Sequence, residues 1–334
     1  MPGRFHSLLD AFATRRIAVV GDFLLDQYML GTTARVSREA PIVVVDYQET
    51  VYHPGGAANA AQNVTALGGT AVAVGVVGAD READALVTLL RERGVDTAWL
   101  ISLPRAATSL KLRIMAGEMN AQKQQVARVD RSHRVELDAS ARATLLDAVQ
   151  AASASCDAVL LADYGLGVLT DEVAAGAIEA SRARGVAVVV DSRYRAFAFR
   201  GATVATPNEV EAMSALGLER EADLLDAARL QRSLAQTGIA NLIVTRGSKG
   251  MVVCDERGRI STIGIAGTHQ ATDVTGAGDT VSAVVALSLA AGASLEEAAR
   301  MATFAASIVV MKRGTATASL SEMRAVIESE GESA

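Results

Sequence analysis

The stretch that decides the fold is residues 273–291, DVTGAGDTVSAVVALSLAA, in which two glycines lead directly into a long apolar run. The pattern predicts a helix over 277–291. Glycines ahead of a helix let its backbone approach an anion, and the free N–H groups of the first turn favour negative charge there. Asp279 falls in that first turn. Alone it could simply complement the helix dipole, but the whole string predicts a helix start that binds an anion.

Outward from this stretch, short β-branched runs alternate with helical patterns over almost the whole chain. The predicted strands, apolar throughout and therefore buried on both faces, are 17–21, 71–78, 157–163, 186–191 and 241–247. The predicted helices are 56–67, 81–93, 139–154, 171–184, 222–236, 277–291 and 295–312. This alternation predicts an α/β fold with a mostly parallel sheet and helices on both faces. Ligands of such sheets bind at the carboxyl ends of the strands.

Two segments, 31–52 and 108–130, have strand and turn patterns without helices and predict a small accessory sheet, a lid over the ligand-binding end. No linker, repeat or charge block divides the chain, so we expect one domain over 1–334. The apolar run 42–45 and the alternation of Leu110, Leu112 and Ile114 give the lid apolar side chains but little core of its own. A small sheet of this kind needs cover on its outer face, which predicts a homodimer through the lid.

Composition excludes several classes of function. The 334 residues include 32 Lys and Arg against 38 Asp and Glu, a net charge of −6 that argues against general nucleic-acid binding. Two distant cysteines form neither a disulfide framework nor a zinc pattern, and a reducing cytoplasm suits them. The longest uncharged helical stretch, 280–295, is shorter than the roughly twenty residues of a membrane span. We therefore expect a cytoplasmic protein without membrane or nucleic-acid partners.

A second glycine-rich motif lies at 55–69, GGAANAAQNVTALGG. Alone it would be a glycine-initiated, alanine-rich helix. Together with DVTGAGDT it resembles the two signatures of the PfkB, or ribokinase-like, carbohydrate kinases, in the same order and at about the same separation. The resemblance implies a ribokinase-like fold, phosphoryl transfer from ATP to a sugar hydroxyl, and a requirement for Mg²⁺.

The resemblance also implies roles for individual residues. It makes Asp279 the catalytic base in the catalytic motif Gly276, Ala277, Gly278 and Asp279, with the amides of Ala277, Gly278 and Asp279 forming an anion hole around the transferred phosphoryl group. The sugar hydroxyls would be bound by Asp26, Gly55, Gly56 and Asn59. Singly, Asp26 could be a turn acid and Asn59 a helix-surface residue.

On the nucleotide side, Asn208 and Glu211 resemble the family's NxxE motif, which implies that Glu211 helps to hold magnesium through a water molecule. The same pair fits a capping box at a helix start. The segment 245–250 resembles the family's nucleotide-binding loop but is also compatible with a simple turn. The residues implied in nucleotide binding are Asn208, Glu211, Thr245, Arg246, Gly247, Gly250 and Asp273.

Within the family the likeness is to the heptose 7-phosphate kinases, which phosphorylate O1 of D-glycero-β-D-manno-heptose 7-phosphate on the route to ADP-heptose and the lipopolysaccharide core. It covers about residues 15–316 and includes GDFLLDQYMLG (21–31), LADYGLG (161–167) and FRGATVATPNEVE (199–211). No HxGH nucleotidyl-transfer motif is present, so we expect the kinase step alone and no nucleotidyltransferase domain. The chain departs from the heptose kinases at Gln27, Arg38, Leu166, Arg193 and Thr303.

A sugar phosphate bound by a chain of net charge −6 needs a local cluster of cations. Lys111 and Arg113 share one face of a predicted strand. Arg128 belongs to the neighbouring lid segment, and Arg193 follows the strand 186–191. Each could be an ordinary surface charge, but as a set they predict a phosphate site, where Arg193 could bind bidentately. The alternatives are a PfkB kinase of another sugar or nucleoside, or a nucleotide-binding protein without catalysis.

Overall fold

The computed structural model describes residues 2–118, 123–267 and 271–332. The part of the predicted lid at 119–122 lies outside the described residues. The helices are α1 Pro2–Ala11, α2 Ala57–Ala66, α3 Arg81–Glu92, α4 Ala139–Ser155, α5 Asp171–Arg182, α6 Glu209–Leu216, α7 Ala227–Thr237, α8 Ala277–Ala290, α9 Leu295–Val309 and α10 Leu320–Glu332. Short 3₁₀ helices cover Phe12–Thr14, Ala196–Ala198, Glu221–Leu225 and Gly247–Lys249.

The strands form two sheets. They are β1 Arg16–Gly21, β2 Phe23–Val36, β3 Val43–Gly56, β4 Thr70–Gly78, β5 Asp96–Leu103, β6 Leu110–Gly117, β7 Gln124–Arg131, β8 Ala158–Asp163, β9 Ala187–Ser192, β10 Val204–Ala205, β11 Asn241–Thr245, β12 Met251–Cys254 and β13 Ile260–Ile263. The main sheet has the order β13-β12-β11-β10-β9-β8-β1-β4-β5, parallel from β5 to β11 and antiparallel at β12 and β13. This confirms the predicted α/β fold with helices around a mostly parallel sheet.

The main sheet lies between two apolar layers because alternate residues of its strands point to opposite faces. In β1, Ile17 and Val19 pack with α2, α8 and α9, whereas Ala18 and Val20 pack with α4 and α5. All four side chains are fully buried. The uniformly apolar sequence of the central strands therefore follows from burial on both sides.

The lid is a separate sheet of order β3-β2-β6-β7, in which β2 pairs with β6 in parallel and the other neighbours are antiparallel. It is longer than the predicted segments 31–52 and 108–130, since β2 starts at Phe23 and β3 continues to Gly56. The register sets Lys111 beside Asp26 and beside Asp130. The base of the β2–β3 hairpin, where Phe23 pairs with Gly56, directly follows β1 and directly precedes α2, and so lies at the edge of the main sheet.

Several boundaries differ from the sequence prediction for local reasons. The helix predicted over 222–236 is divided, because the Asp226 carboxylate accepts a hydrogen bond from the Arg229 amide and starts α7 there. The strand predicted over 241–247 ends at Thr245, and Gly247 then adopts a φ of +55° in the turn that follows. Helices α1 and α10 and the strands β5, β10, β12 and β13 were not predicted. Across the described ranges, the longest apolar helical stretch falls short of what is needed to traverse a bilayer.

Candidate active site

A cavity of about 620 Å³ lies at the carboxyl ends of the parallel strands, between the main sheet and the lid. It brings together most of the residues that the sequence predicts to bind ligands. Those that line it are Asp26, Gly56, Lys111, Arg113, Arg128, Arg193, Asn208, Glu211, Thr245, Gly247, Gly250, Gly276, Ala277, Gly278 and Asp279. Gly55, Asn59, Arg246 and Asp273 do not line it.

The start of α8 is formed as the glycine motif predicts. Gly276 caps the helix in the left-handed conformation with φ of +78°. The Ala277 N–H already donates to the Val274 carbonyl at 3.2 Å. Within the described backbone, the N–H groups of Gly278 and Asp279 have no such acceptor, so two of the three expected amides are free to bind an anion.

The Asp279 side chain is 4% exposed, and each of its carboxylate oxygens accepts a hydrogen bond. The Asn59 amide donates to Oδ2 at 2.6 Å, and the Tyr164 hydroxyl donates to Oδ1. Gln62 in turn donates to the Asn59 carbonyl oxygen at 2.6 Å, which fixes the orientation of the Asn59 amide. Asn59 therefore contacts the predicted base, whereas the sequence argument assigned it to the sugar.

A second carboxylate, Asp191, lies beside Asp279 at the end of β9 and lines the same cavity. Burial raises the pKa of both carboxyls, and the charge of Asp279 helps to raise the pKa of Asp191 to about 8. Among the described residues, Asp191 accepts one long bond of 3.4 Å, from the Ser282 hydroxyl, whereas Asp279 has the two strong donors just described. Hydrogen bonds to a carboxylate favour its ionised form. These donors therefore favour Asp191 over Asp279 as the position of a proton bound by the pair.

Two loops at the sheet edge are held by buried carboxylates. Asp22, which follows β1 and is 1% exposed, accepts hydrogen bonds from the backbone amides of Tyr164, Leu166 and Val168 at 2.8–3.1 Å. Asp163 accepts a bond from Ser192 at 2.7 Å and so joins this loop to the one after β9. The positions of Tyr164 and Arg193 are thereby linked.

The lid contributes a buried ion pair, the half-buried Lys111 and the exposed Arg128, and the loop after β9 adds Arg193. Arg113 donates to Asp26 at 2.7 Å, with 10% and 4% of the two side chains exposed. The Lys111 ammonium lies 4.9 Å and the Arg193 guanidinium 4.7 Å from the centre of the Tyr164 ring. Burial and then the nearby charge of Arg193 lower the pKa of Lys111. Arg128 is paired with Asp130 at 2.6 Å on the exposed part of the lid.

On the opposite side of the cavity, Asn208 and Glu211 form the capping box that starts α6. The Glu211 carboxylate uses Oε2 for the Asn208 amide at 2.9 Å, and its other oxygen is available to a ligand. The Arg246 guanidinium pairs with Glu209 and Glu221 outside the cavity, so these ion pairs hold the loop from its outer side. Asp273 accepts bonds from the amides of Thr275 and Gly314, both at 2.9 Å, and so fixes the approach to α8.

The sequence argument missed Tyr164, Asp191 and Asp22 as residues of the site. Tyr164 and Asp191 lie directly after or at the end of parallel strands, the place where α/β proteins bind ligands. Their position at the strand ends is the feature of the sequence that could have predicted them as site residues. Their contacts with Asp279 join segments far apart in the chain, and no local pattern encodes such contacts.

Comparison with known proteins agrees with this geometry. Residues 14–323 match the family model described as pfkB family carbohydrate kinase. The chain is 40% identical over 314 residues to the bifunctional protein HldE of Azorhizobium caulinodans, a match covering 93% of this chain and 64% of that protein. The chain thus spans slightly less than two thirds of the length of this relative.

Two solved structures share the fold at low sequence identity. Arabidopsis thaliana ribokinase complexed with ribose and ATP is 21% identical with a TM-score of 0.69, covering 95% of this chain and 98% of the ribokinase chain. Phosphofructokinase-2 from Escherichia coli in complex with fructose-6-phosphate is 20% identical with a TM-score of 0.74, covering 94% and 98% of the two chains.

The start of α8 provides a test of the geometry around Asp279. A Cβ on Gly276 would lie 2.5 Å from the Asn59 amide nitrogen, and the residue has a left-handed backbone. Gly276→Ala should therefore lower the free energy of unfolding by about 1–2 kcal/mol or more and displace Asn59 from Asp279. Denaturant unfolding measured by circular dichroism checks this expectation.

Gly278→Ala is the matched control. Its Cβ would meet no atom closer than 3.9 Å, and its backbone is helical, so alanine should leave stability equal or raise it by up to about 1 kcal/mol. Equal unfolding midpoints for Gly276→Ala and the wild type would contradict the contact between Gly276 and Asn59.

Proposed function

The chain belongs to the pfkB family of carbohydrate kinases, which transfer a phosphoryl group to an alcohol, and on that premise we propose its particular reaction. The proposed reaction is ATP-dependent phosphorylation of O1 of D-glycero-β-D-manno-heptose 7-phosphate, as a step toward ADP-heptose and the lipopolysaccharide core. The observation that carries it is a single cavity with a buried carboxylate at a glycine-initiated helix and a pair of cations close by.

The two cations support a substrate that carries its own phosphate. Lys111 and Arg193 lie against the same tyrosine ring, and neither forms an ion pair with a carboxylate in the described parts of the chain. Burial and then the like charge of Arg193 lower the pKa of Lys111, so the two cations repel each other. A dianionic phosphate bound between them would remove that repulsion, and an arginine can hold it with two parallel hydrogen bonds.

In the proposed mechanism the sugar lies beneath the lid, with hydroxyls near Asp26 and Gly56 and O1 near Asp279. Asp279 accepts the O1 proton while that oxygen forms a bond to the γ-phosphorus of ATP and the bond to the β-phosphate oxygen breaks, releasing ADP. The free amides of Gly278 and Asp279 stabilise charge on the transferred group. An ionised aspartate is a weak base, which suffices because the transition state is loose and positioning contributes most of the rate.

ATP would lie along the loops that contain Asn208, Thr245 and Gly247, with its base toward the α9 residues Thr303 and Ala306. Glu211 would hold Mg²⁺ through water with its available oxygen. The described residues contain no group of three or more metal-binding side chains. Mg²⁺ generally keeps several waters and binds substrate phosphates together with one or two carboxylates. When bound, Mg²⁺ neutralises charge on those phosphates.

We place the reaction in the cytoplasm, where ATP is available and where the buried thiols of Cys156 and Cys254 stay reduced.

The direct test of the proposed substrate is a phosphotransfer assay with a set of sugars and sugar phosphates. The proposal expects the highest kcat/KM with heptose 7-phosphate and a product whose new phosphate is attached at the anomeric carbon. Higher kcat/KM with an unphosphorylated sugar or a nucleoside would reject the substrate and leave the family assignment intact. ATP turnover without any phosphorylated product would reject the reaction.

Asp279→Asn tests the proposed base. The amide keeps the size of the side chain but cannot accept the proton, so kcat should fall at least about a hundredfold while ATP binding is retained. Steady-state kinetics and calorimetric titration with ATP measure the two quantities. A variant with near-normal kcat would remove Asp279 from the chemistry.

Arg193→Ala tests the proposed phosphate site. Loss of a charged hydrogen-bond donor should raise KM for the sugar phosphate about tenfold or more, with KM for ATP nearly unchanged. Arg105→Ala is the control, because Arg105 is exposed and does not line the cavity. An equal rise in KM for both substrates would contradict a role specific to the sugar phosphate.

We also propose that the protein forms a homodimer through the lid. Large apolar side chains of the lid that remain exposed are Val36, Ile42, Val43, Tyr47, Val126 and Val129. Light scattering should give twice the chain mass of 34.6 kDa, and Val43→Asp should shift the protein toward the monomer. A monomeric wild-type protein at micromolar concentration would reject the dimer.

A further inference from the structure

Tyr164 makes a contact with Asp279 that the family motifs do not explain. Its hydroxyl donates a hydrogen bond to Oδ1 of Asp279, while the Asn59 amide donates to Oδ2. Each oxygen therefore keeps one lone pair for a further donor, such as a substrate hydroxyl. The two existing bonds fix both the position of the carboxylate and the plane in which it lies.

The loop that carries Tyr164 is itself held rigidly. The buried Asp22 carboxylate accepts three backbone hydrogen bonds from it, and Asp163 accepts a fourth from Gly165 at 3.0 Å. Gly165 and Gly167 have φ of +74° and +99°, which allow the backbone to wrap around Asp22. Two cations pack on the tyrosine ring, so both ends of this side chain are restrained.

We propose that Tyr164 is a positioning residue that keeps the Asp279 carboxylate oriented toward the acceptor hydroxyl and in its ionised form. This inference rests on the proposed role of Asp279 as the base. Tyr164 acts through Asp279 and takes no proton itself. Burial and the neighbouring carboxylates Asp279 and Asp191 raise the pKa of its phenol well above the usual value, so it remains a donor.

The direction of the effect on pH dependence follows from the groups that face Asp279. Burial raises the pKa of Asp279, and the hydrogen bonds from Tyr164 and then Asn59 oppose that rise, followed by the charges of Arg193 and Lys111. The neighbouring carboxylate Asp191 acts on the pKa of Asp279 in the opposite sense to these cations. Removal of the Tyr164 hydroxyl raises the pKa of Asp279, and activity is then lost at a higher pH on the acid side.

The experiment compares pH profiles of kcat/KM for the wild type, Tyr164→Phe and Tyr194→Phe with the same substrates, so that ionisation of substrate phosphates contributes equally. Tyr164→Phe should move the acid limb upward by about one pH unit, the scale expected for loss of one hydrogen bond to a charged group. Tyr194 is 75% exposed and packs beside the same loop, and its variant should show the wild-type profile.

A double-mutant comparison establishes whether Tyr164 acts through Asp279. Added to Asp279→Asn, Tyr164→Phe should cause little further loss of kcat, because the group it orients is already gone. Independent, additive losses would overturn the proposal, as would an unmoved acid limb in Tyr164→Phe. Near-normal activity of Asp279→Asn alone would instead reject the proposed base, so the two failures are distinguishable.

A third variant covers the case in which Tyr164→Phe folds poorly. Site-specific replacement of Tyr164 by 3-fluorotyrosine retains the ring and makes the phenol a stronger donor. The acid limb should then move to lower pH, opposite to the phenylalanine variant. An upward or absent shift would overturn the proposal.

Discussion

The interaction on which the site depends is the double hydrogen bond to the buried carboxylate of Asp279. Transfer of a charge out of water is costly unless donors replace the lost solvation. Here the donors come from α2 and from the loop after β8, while Asp279 belongs to the start of α8. Three segments that are distant in sequence must therefore pack correctly before the carboxylate can be ionised and oriented. The parallel sheet provides this arrangement because the carboxyl ends of its strands lie at one edge.

The same edge separates two kinds of charge. Carboxylates lie at the ends of the strands, where Asp22 and Asp163 hold loops and Asp191 lines the cavity beside Asp279. The lid contributes Lys111 and the loop after β9 contributes Arg193, and both cations pack against the Tyr164 ring. Tyr164 thus contacts the base through its hydroxyl and the cations through its ring. The proposed base and the proposed phosphate site are consequently fixed relative to each other by a single side chain.

The sequence could predict much of this arrangement, because helix starts and buried strands have local patterns. The glycine run before Asp279 and the Asn208–Glu211 capping box are local, and both form as expected. Asn59 was expected to bind the sugar, but its amide points to Asp279, a contact between residues 220 apart in the chain. Arg246 was expected to bind the nucleotide but forms ion pairs with Glu209 and Glu221, whose proximity results from tertiary packing. The lid begins at Phe23, ahead of the predicted start at residue 31, because β2 already pairs with β3 there.

From the unequal hydrogen bonding of the two carboxylates we infer that Asp279 is the ionised one at neutral pH and that the neighbouring Asp191 carries the proton. Carbon-13 NMR of protein labelled at the aspartate side-chain carboxyl carbon tests it directly, with Asp279→Asn and Asp191→Asn used to assign the two signals. At pH 7 the Asp279 signal should have the chemical shift of a carboxylate, and the Asp191 signal should have the chemical shift of a protonated carboxylic acid. A protonated Asp279 beside an ionised Asp191 at that pH would contradict it.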